Sequence, residues 1–179
     1  MNEGAVGEEP VGGDAEESVT QVLASWAVRV EKKADRWEVE LLAQDASDEL
    51  PVLERALGAP GTSWPGPYVL VVDTRLYFVA LTHGPGGMVR ALISDVTLQE
   101  WLLASELVER YGIDPGDLDA ADEAEDGWPA GDLDLFGDAG LPADELAPIL
   151  AADLWADEMV AAVAARLGFA DELAAAVRP

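Results

Sequence analysis

The sequence has no cysteine, a single histidine and few basic residues. Without cysteine the chain has no disulfide framework, no thiolate nucleophile and no cysteine-ligated zinc or iron–sulfur site. The single histidine, His83, is followed by glycine and proline and has no second histidine or cysteine as a metal-binding partner. We expect His83 to be an exposed turn residue, and we expect no metal and no other cofactor. A zinc deaminase, which needs histidine and cysteine ligands, is excluded.

Basic residues number 10 against 36 acidic residues, and the formal net charge is −26. Proteins that bind nucleic acids or anionic membranes use clustered lysine and arginine, so this balance argues against both. It favours a basic protein as the partner. Long apolar runs are also missing and the first residues are acidic, so the sequence predicts neither a membrane span nor a secretory signal. We expect a cytoplasmic protein.

The acidic residues are concentrated in the flanks of the chain. Residues 1–18 contain six acidic residues and no basic residue, which predicts a disordered acidic tail. Residues 19–112 hold eight of the ten basic residues and have the composition of a folded domain. Residues 113–131 are rich in Asp, Glu, Gly and Pro, so mutual repulsion predicts an extended acidic linker. Residues 132–179 then form a separate C-terminal unit.

The folded domain alternates between two periodicities. Alternating apolar residues and short apolar runs predict five β-strands, at 26–31, 37–41, 68–72, 76–81 and 88–93. One helix is predicted from Ser47 to Gly58, and a second begins at a capping box of Thr97 and Glu100 and ends near Tyr111. The order ββαβββα predicts an α+β fold in which two helices cover one five-stranded, largely antiparallel sheet.

Residues 141–179 are rich in alanine and lack runs of β-branched residues, so they predict a small all-helical unit. Large apolar residues recur there at four-residue steps and predict one buried helix face: Trp155, Met159, Val163 and Leu167. A unit with so few large side chains is marginally stable alone. We expect it to dock either on the sheet or on another protein.

The candidate partner-binding residues lie in the linker and directly after it. Acidic side chains would attract a basic partner, and apolar side chains would hold it. The candidates are Asp117, Asp119, Asp122, Glu123, Glu125, Asp126, Trp128, Leu135 and Phe136. For Trp128 two interpretations stay open, a partner-binding anchor or a residue packed on its own domain. Abundant carboxylates also leave a carboxylate-dependent enzyme open, although no particular pair is indicated.

Two stretches of the chain resemble a known family. Residues 76–113 read LYFVALTHGPGGMVRALISDVTLQEWLLASELVERYGI, a strand, a turn and a strand that end in Ser94-Asp95 before a helix. Residues 131–173 read GDLDLFGDAGLPADELAPILAADLWADEMVAAVAARLGFADEL, an acidic Gly-Asp entry followed by alanine-rich helices. With the acidic linker between them, they resemble the actinobacterial tRNA adenosine deaminase-associated proteins over residues 24–178.

The resemblance implies a protein encoded beside the zinc enzyme that makes inosine at the tRNA wobble position, and it carries over no catalytic residue. We therefore expect a non-catalytic acidic accessory or binding protein whose basic partner is a tRNA adenosine deaminase. One alternative is an acidic nucleic-acid mimic that blocks a basic surface, as some inhibitors and immunity proteins do. The other, less favoured, is the carboxylate-dependent enzyme.

Overall fold

A computed structural model describes residues 25–61, 65–121 and 126–178 of the chain. The predicted acidic tail lies outside these ranges. The strands are β1 (Trp26–Lys33), β2 (Arg36–Leu41), β3 (Tyr68–Asp73), β4 (Tyr77–His83), β5 (Val89–Ile93) and β6 (Ala130–Gly131). The α-helices are α1 (Leu50–Leu57), α2 (Leu102–Tyr111), α3 (Ala143–Leu150), α4 (Ala156–Leu167) and α5 (Ala170–Val177). Within the described ranges every helix is too short or too polar to cross a membrane.

The strands form one sheet in the order β2-β1-β3-β4-β5-β6, and each neighbouring pair is antiparallel. A two-residue turn, residues 34–35, joins β1 to β2, and a three-residue turn, residues 74–76, joins β3 to β4. The first two residues of each turn have positive φ, as the twist of a tight hairpin requires: Ala34, Asp35, Thr74 and Arg75. The predicted α+β fold with a largely antiparallel sheet is confirmed.

One face of the sheet is covered by α1 and α2, the two helices that the sequence predicts there. Leu53 of α1 and Leu107 of α2 share a buried core with Val71 of β3 and Val79 of β4. The opposite-facing residues of the same strands are buried as well, so β3 and β4 are buried along their full length. Strands with no exposed face must be covered on both sides of the sheet.

The second layer consists of α3, α4 and α5. Leu146 of α3, Val160 of α4 and Leu173 of α5 are buried in one core with Val28 and Leu70 of the sheet. The C-terminal helices thus dock on the sheet, which is one of the two expected arrangements, and the sheet lies in the middle of three layers. The domain boundaries expected from composition stay a prediction.

The strand count of five is wrong by one, because β6 lies in the residues predicted as linker. β6 is only two residues long and pairs Ala130 with Ile93 and Gly131 with Leu92. A two-residue strand has no periodicity to detect. Gly131 adopts a positive φ of 94°, and a Cβ at this position would collide with the Ala91 carbonyl oxygen. Glycine is therefore required here because β6 lies close to β5, and not because the residue belongs to a loop.

The predicted capping box at the start of α2 is also wrong. Residues Val96–Leu98 form a separate 3-10 turn, and α2 begins only at Leu102. The capping side chain is Asp95, whose carboxylate accepts hydrogen bonds from the backbone N–H of Thr97 at 2.9 Å and from its hydroxyl at 2.6 Å. The capping residue therefore lies two positions before Thr97, and it caps the 3-10 turn rather than α2.

Trp155 is more exposed than expected, and His83 is more buried than expected. Trp155 is 53% exposed, although the spacing predicts that it is buried. It precedes the first residue of α4, and its backbone N–H donates to the Glu158 carboxylate at 2.8 Å. His83 is the last residue of β4 rather than a turn residue, and it is only 8% exposed. Its Nε2 donates a hydrogen bond to the Gly58 carbonyl oxygen at 2.9 Å.

Phe169 tests whether the second helical layer depends on its contact with the sheet edge. Its ring lies 5.2 Å from that of Trp37 in β2 and is almost fully buried. We expect Phe169→Ala to lower the free energy of unfolding by about 3–5 kcal/mol, the usual cost of such a cavity, in chemical denaturation followed by circular dichroism. Leu102→Ala, at a side chain that is 65% exposed, is the control and should change it by about 0.5 kcal/mol or less. Equal effects of the two changes would contradict this role.

Candidate functional site

The loop after β6, residues 132–140, is called the acidic loop here and is fastened to the sheet by Arg90 of β5. The Arg90 Nε donates to the Asp132 carboxylate at 2.5 Å, and its Nη2 donates to the Asp134 carbonyl oxygen at 2.9 Å. A longer contact of 3.4 Å joins Nη1 to the Asp138 carboxylate. The guanidinium hydrogen bond holds the pKa of Asp132 below its usual value, and the same bond raises the pKa of Arg90.

The acidic loop also stabilises the start of α3. The Asp134 carboxylate accepts a hydrogen bond from the backbone N–H of Ala143, the first residue of α3, at 3.1 Å. The first N–H groups of a helix have no partner within the helix and lie at its positive end, so a carboxylate there is stabilising. One loop thus connects the edge of the sheet to the start of the second helical layer.

Leu135 and Phe136, two of the candidate partner-binding residues, lie at the inner side of the acidic loop. They are 0% and 1% exposed and belong to the core between the sheet and α3–α5. The ring of Phe136 lies 5.3 Å from that of Tyr68 in β3. Both side chains are therefore packed on their own protein, and in this structure they present no surface to a partner.

Trp128 is neither fully buried, as Leu135 and Phe136 are, nor fully exposed. Its indole N–H donates to the Pro115 carbonyl oxygen at 2.9 Å, and its own carbonyl oxygen accepts from the N–H of Val96 at 2.9 Å. These bonds tie both ends of the predicted linker to the end of β5. The ring packs on the core beside α2, yet it is only half-buried, and part of it lines a groove. Both interpretations of Trp128 thus stay open.

The acidic candidates divide into two sets. Asp117, Asp119 and Asp126 are exposed. Asp122, Glu123 and Glu125 lie outside the described residues. Attraction of a partner by all six carboxylates stays a prediction.

A groove of about 590 Å³ opens beside Trp128, between α3 and the end of the sheet. Three exposed leucines line it: Leu76 in the β3–β4 turn, Leu133 in the acidic loop and Leu154 between α3 and α4. Ala143 and Ala147 form the α3 side, and their short side chains leave the space open. Sequence reasoning missed this site because its residues come from separate segments, each of which has an unremarkable local pattern.

Negative charge surrounds the groove. The charged side chains that line it in the described part of the chain are Asp95, Asp126 and Asp153. The nearby Arg75 is engaged by Asp157, whose carboxylate accepts from Arg75 Nε at 2.9 Å and raises the pKa of the guanidinium. The groove therefore combines an apolar floor with uncompensated carboxylates.

The described residues hold no group of three or more His, Cys, Asp or Glu side chains placed to bind a metal ion. At the groove, one carboxylate oxygen of Asp95 already accepts hydrogen bonds from the backbone N–H and the hydroxyl of Thr97. Apolar contact and negative charge are what the groove offers, and these suit binding of a basic, partly apolar ligand.

Comparison with known proteins places the chain in a family. The chain belongs to the family described as Rv3753c-like tRNA adenosine deaminase-associated protein, which matches residues 25–170. A curated protein that it resembles is Protein Rv3753c of Mycobacterium tuberculosis (strain ATCC 25618 / H37Rv), 34% identical over 156 residues, or 85% of this chain and 87% of that protein. No solved structure matches the chain. The matched region includes the sheet, the acidic loop and the groove.

Asp132→Asn tests the fastening of the acidic loop through its pH dependence. The pKa of Asp132 is lower in the folded than in the unfolded state, so its ion pair stabilises the protein above the unfolded pKa of about 3.9. That stabilisation is lost as the pH falls through the lower, folded pKa. We expect the variant to be less stable than the wild type at neutral pH and the difference to narrow below about pH 4 in urea denaturation.

Asp138→Asn is the matched control, because its contact with Arg90 is longer, at 3.4 Å, and more exposed. Its effect at neutral pH should be the smaller of the two. A stability difference for Asp132→Asn that is the same at all pH values would show that the carboxylate charge does not hold the loop.

Proposed function

We propose that this chain is a non-catalytic accessory protein that binds a basic protein partner, and that the partner is a tRNA adenosine deaminase. The observation that carries the proposal is membership of a family described as associated with that enzyme. A cytoplasmic location is part of the proposal, because the proposed partner acts on tRNA.

The residues of this chain support a role beside the deaminase rather than in its place. Zinc deaminases hold their metal with a histidine or cysteine and a pair of cysteines. This sequence has no cysteine. Its one histidine is buried and donates to the Gly58 carbonyl oxygen. The known ligand set is therefore missing from this sequence.

The charge distribution supports a basic partner. Residues 113–179 contain 17 acidic residues and two basic residues, Arg166 and Arg178, and Arg166 forms an ion pair with Glu145. An enzyme that binds tRNA must present cationic surface to the phosphates. Opposite fields of this kind steer two proteins together and raise the association rate.

The same acidity favours a second candidate function, an acidic mimic that occupies the tRNA-binding surface of its partner. An accessory protein and a mimic differ in a deamination assay with tRNA as substrate. A mimic competes with tRNA, so adding it raises the apparent KM for tRNA. An accessory protein binds the enzyme without raising it.

Neutralising the exposed acids of the predicted linker should mainly slow association. We expect Asp117→Asn, Asp119→Asn and Asp126→Asn together to lower the association rate with purified tRNA adenosine deaminase at low salt, and to flatten its dependence on ionic strength. Dissociation should change less than association, because Asp126 is the one of the three that also lines the groove. Stopped-flow mixing or surface plasmon resonance across a salt series measures both rates.

The matched control also removes three negative charges, but at the other edge of the sheet, near β2 and α5. It carries Glu40→Gln, Asp171→Asn and Glu172→Gln, all at exposed positions. If the control slows association as much as the linker variant, the effect comes from net charge alone and not from the linker.

A further inference from the structure

We infer that the groove between α3 and the acidic loop is the docking site for a short segment of the basic partner. In this segment lysine or arginine flanks large apolar side chains. The inference rests on the proposed function. The apolar side chains would enter the groove, and the basic side chains would meet the carboxylates around it.

Three exposed apolar side chains of the described residues come together at this groove. Seven large apolar side chains are exposed in the described part of the chain, and Leu76, Leu133 and Leu154 among them line the groove. Trp155 follows Leu154 and is also exposed, outside the groove lining, and the Arg75 guanidinium lies 5.2 Å from its ring centroid. Single exposed apolar residues are ordinary, whereas a cluster rimmed by polar groups marks an interaction surface.

Charge decides which occupant fits. The rim carboxylates Asp95, Asp126 and Asp153 form no ion pair with any basic side chain in the described ranges. A second copy of this chain would bring its own formal charge of −26 to this rim and be repelled. A nucleic acid or an anionic membrane would be repelled for the same reason. A cationic segment is the occupant that the rim attracts.

The dimensions of the groove favour a segment over a broad protein face. Its volume of about 590 Å³ lies within the about 300–1,000 Å³ typical of ligand pockets, which is room for a few side chains. The open α3 side, lined by Ala143 and Ala147, lets a backbone approach closely. An amphipathic helix laid into a groove, with apolar anchors on one face, is a recurring solution of this size.

Two polar substitutions test the groove without disturbing the core. Leu133→Gln with Leu154→Gln keeps the size of two exposed groove side chains and removes their apolar character. Met88→Gln with Leu102→Gln makes the same change at two exposed side chains outside the groove, which are 75% and 65% exposed. Leu133 and Leu154 are 39% and 38% exposed, so the groove variant loses more packing than the control, and its melting temperature should fall by a few degrees at most. Binding is compared at a temperature at which both variants are folded.

With purified tRNA adenosine deaminase, we expect the groove variant to bind about tenfold more weakly, through faster dissociation, and the control variant to bind like the wild type. If the groove variant binds like the wild type, the docking site is elsewhere and the inference is overturned while the proposed function stands. If the wild type does not bind the deaminase at all, the proposed function fails, and a second probe decides the groove separately.

That probe is a short fluorescein-labelled peptide of leucines at helical spacing with lysines between them, compared with versions carrying serine for leucine or glutamate for lysine. The lysine–leucine peptide should bind saturably and shift the amide resonances of Leu133, Ala147 and Leu154, and the groove variant should lose this binding. Equal binding of the glutamate version, shifts elsewhere on the surface, or a concentration-dependent dimer that the groove variant abolishes would each overturn the inference.

Discussion

Arg90 joins the two halves of the chain, because its guanidinium holds three residues of the acidic loop against the start of β5. Held in this way, the loop inserts Leu135 and Phe136 into the core under α3–α5 and provides Asp134 to the first N–H of α3. The same loop carries Leu133 at the groove. The partly buried Arg90–Asp132 ion pair thus helps to hold the loop that contributes both to the core of the second layer and to one wall of the candidate site. Charge-assisted bonds of arginine to carboxylates are suited to this, since they are both strong and directional.

The acidic residues of the C-terminal half serve two different purposes. Some are structural: Asp132 binds Arg90, Asp157 binds Arg75 and Glu145 binds Arg166. Others, such as Asp126 and Asp153, line the groove and meet no basic side chain within the described ranges. Composition alone shows only that the C-terminal half is acidic and does not distinguish the two sets. The geometry separates the carboxylates that stabilise the fold from those that give the surface its field.

Much of the fold was predictable because its signals are local. The apolar run of β3, the alternation in β1 and β2 and the glycine after α1 each report a backbone state within a few residues. β6 was not predictable, because two residues carry no period and its pairing with β5 is set by distant packing. The groove was missed for a related reason, since Leu76, Leu133 and Leu154 become neighbours only after the second layer docks. Leu135 and Phe136 drew attention as apolar residues beside an acidic stretch, and only the tertiary structure shows that they point inward.

The central claim is that a tRNA adenosine deaminase binds at the groove between α3 and the acidic loop. Hydrogen–deuterium exchange of the chain, free and mixed with the purified deaminase, tests it directly, because bound segments exchange more slowly. The account predicts slower exchange in the segments that line the groove, namely the β3–β4 turn, the acidic loop and the connection from α3 to α4. Slower exchange confined to the β2 and α5 edge, or no change anywhere at concentrations of deaminase well above those of the chain, would contradict it.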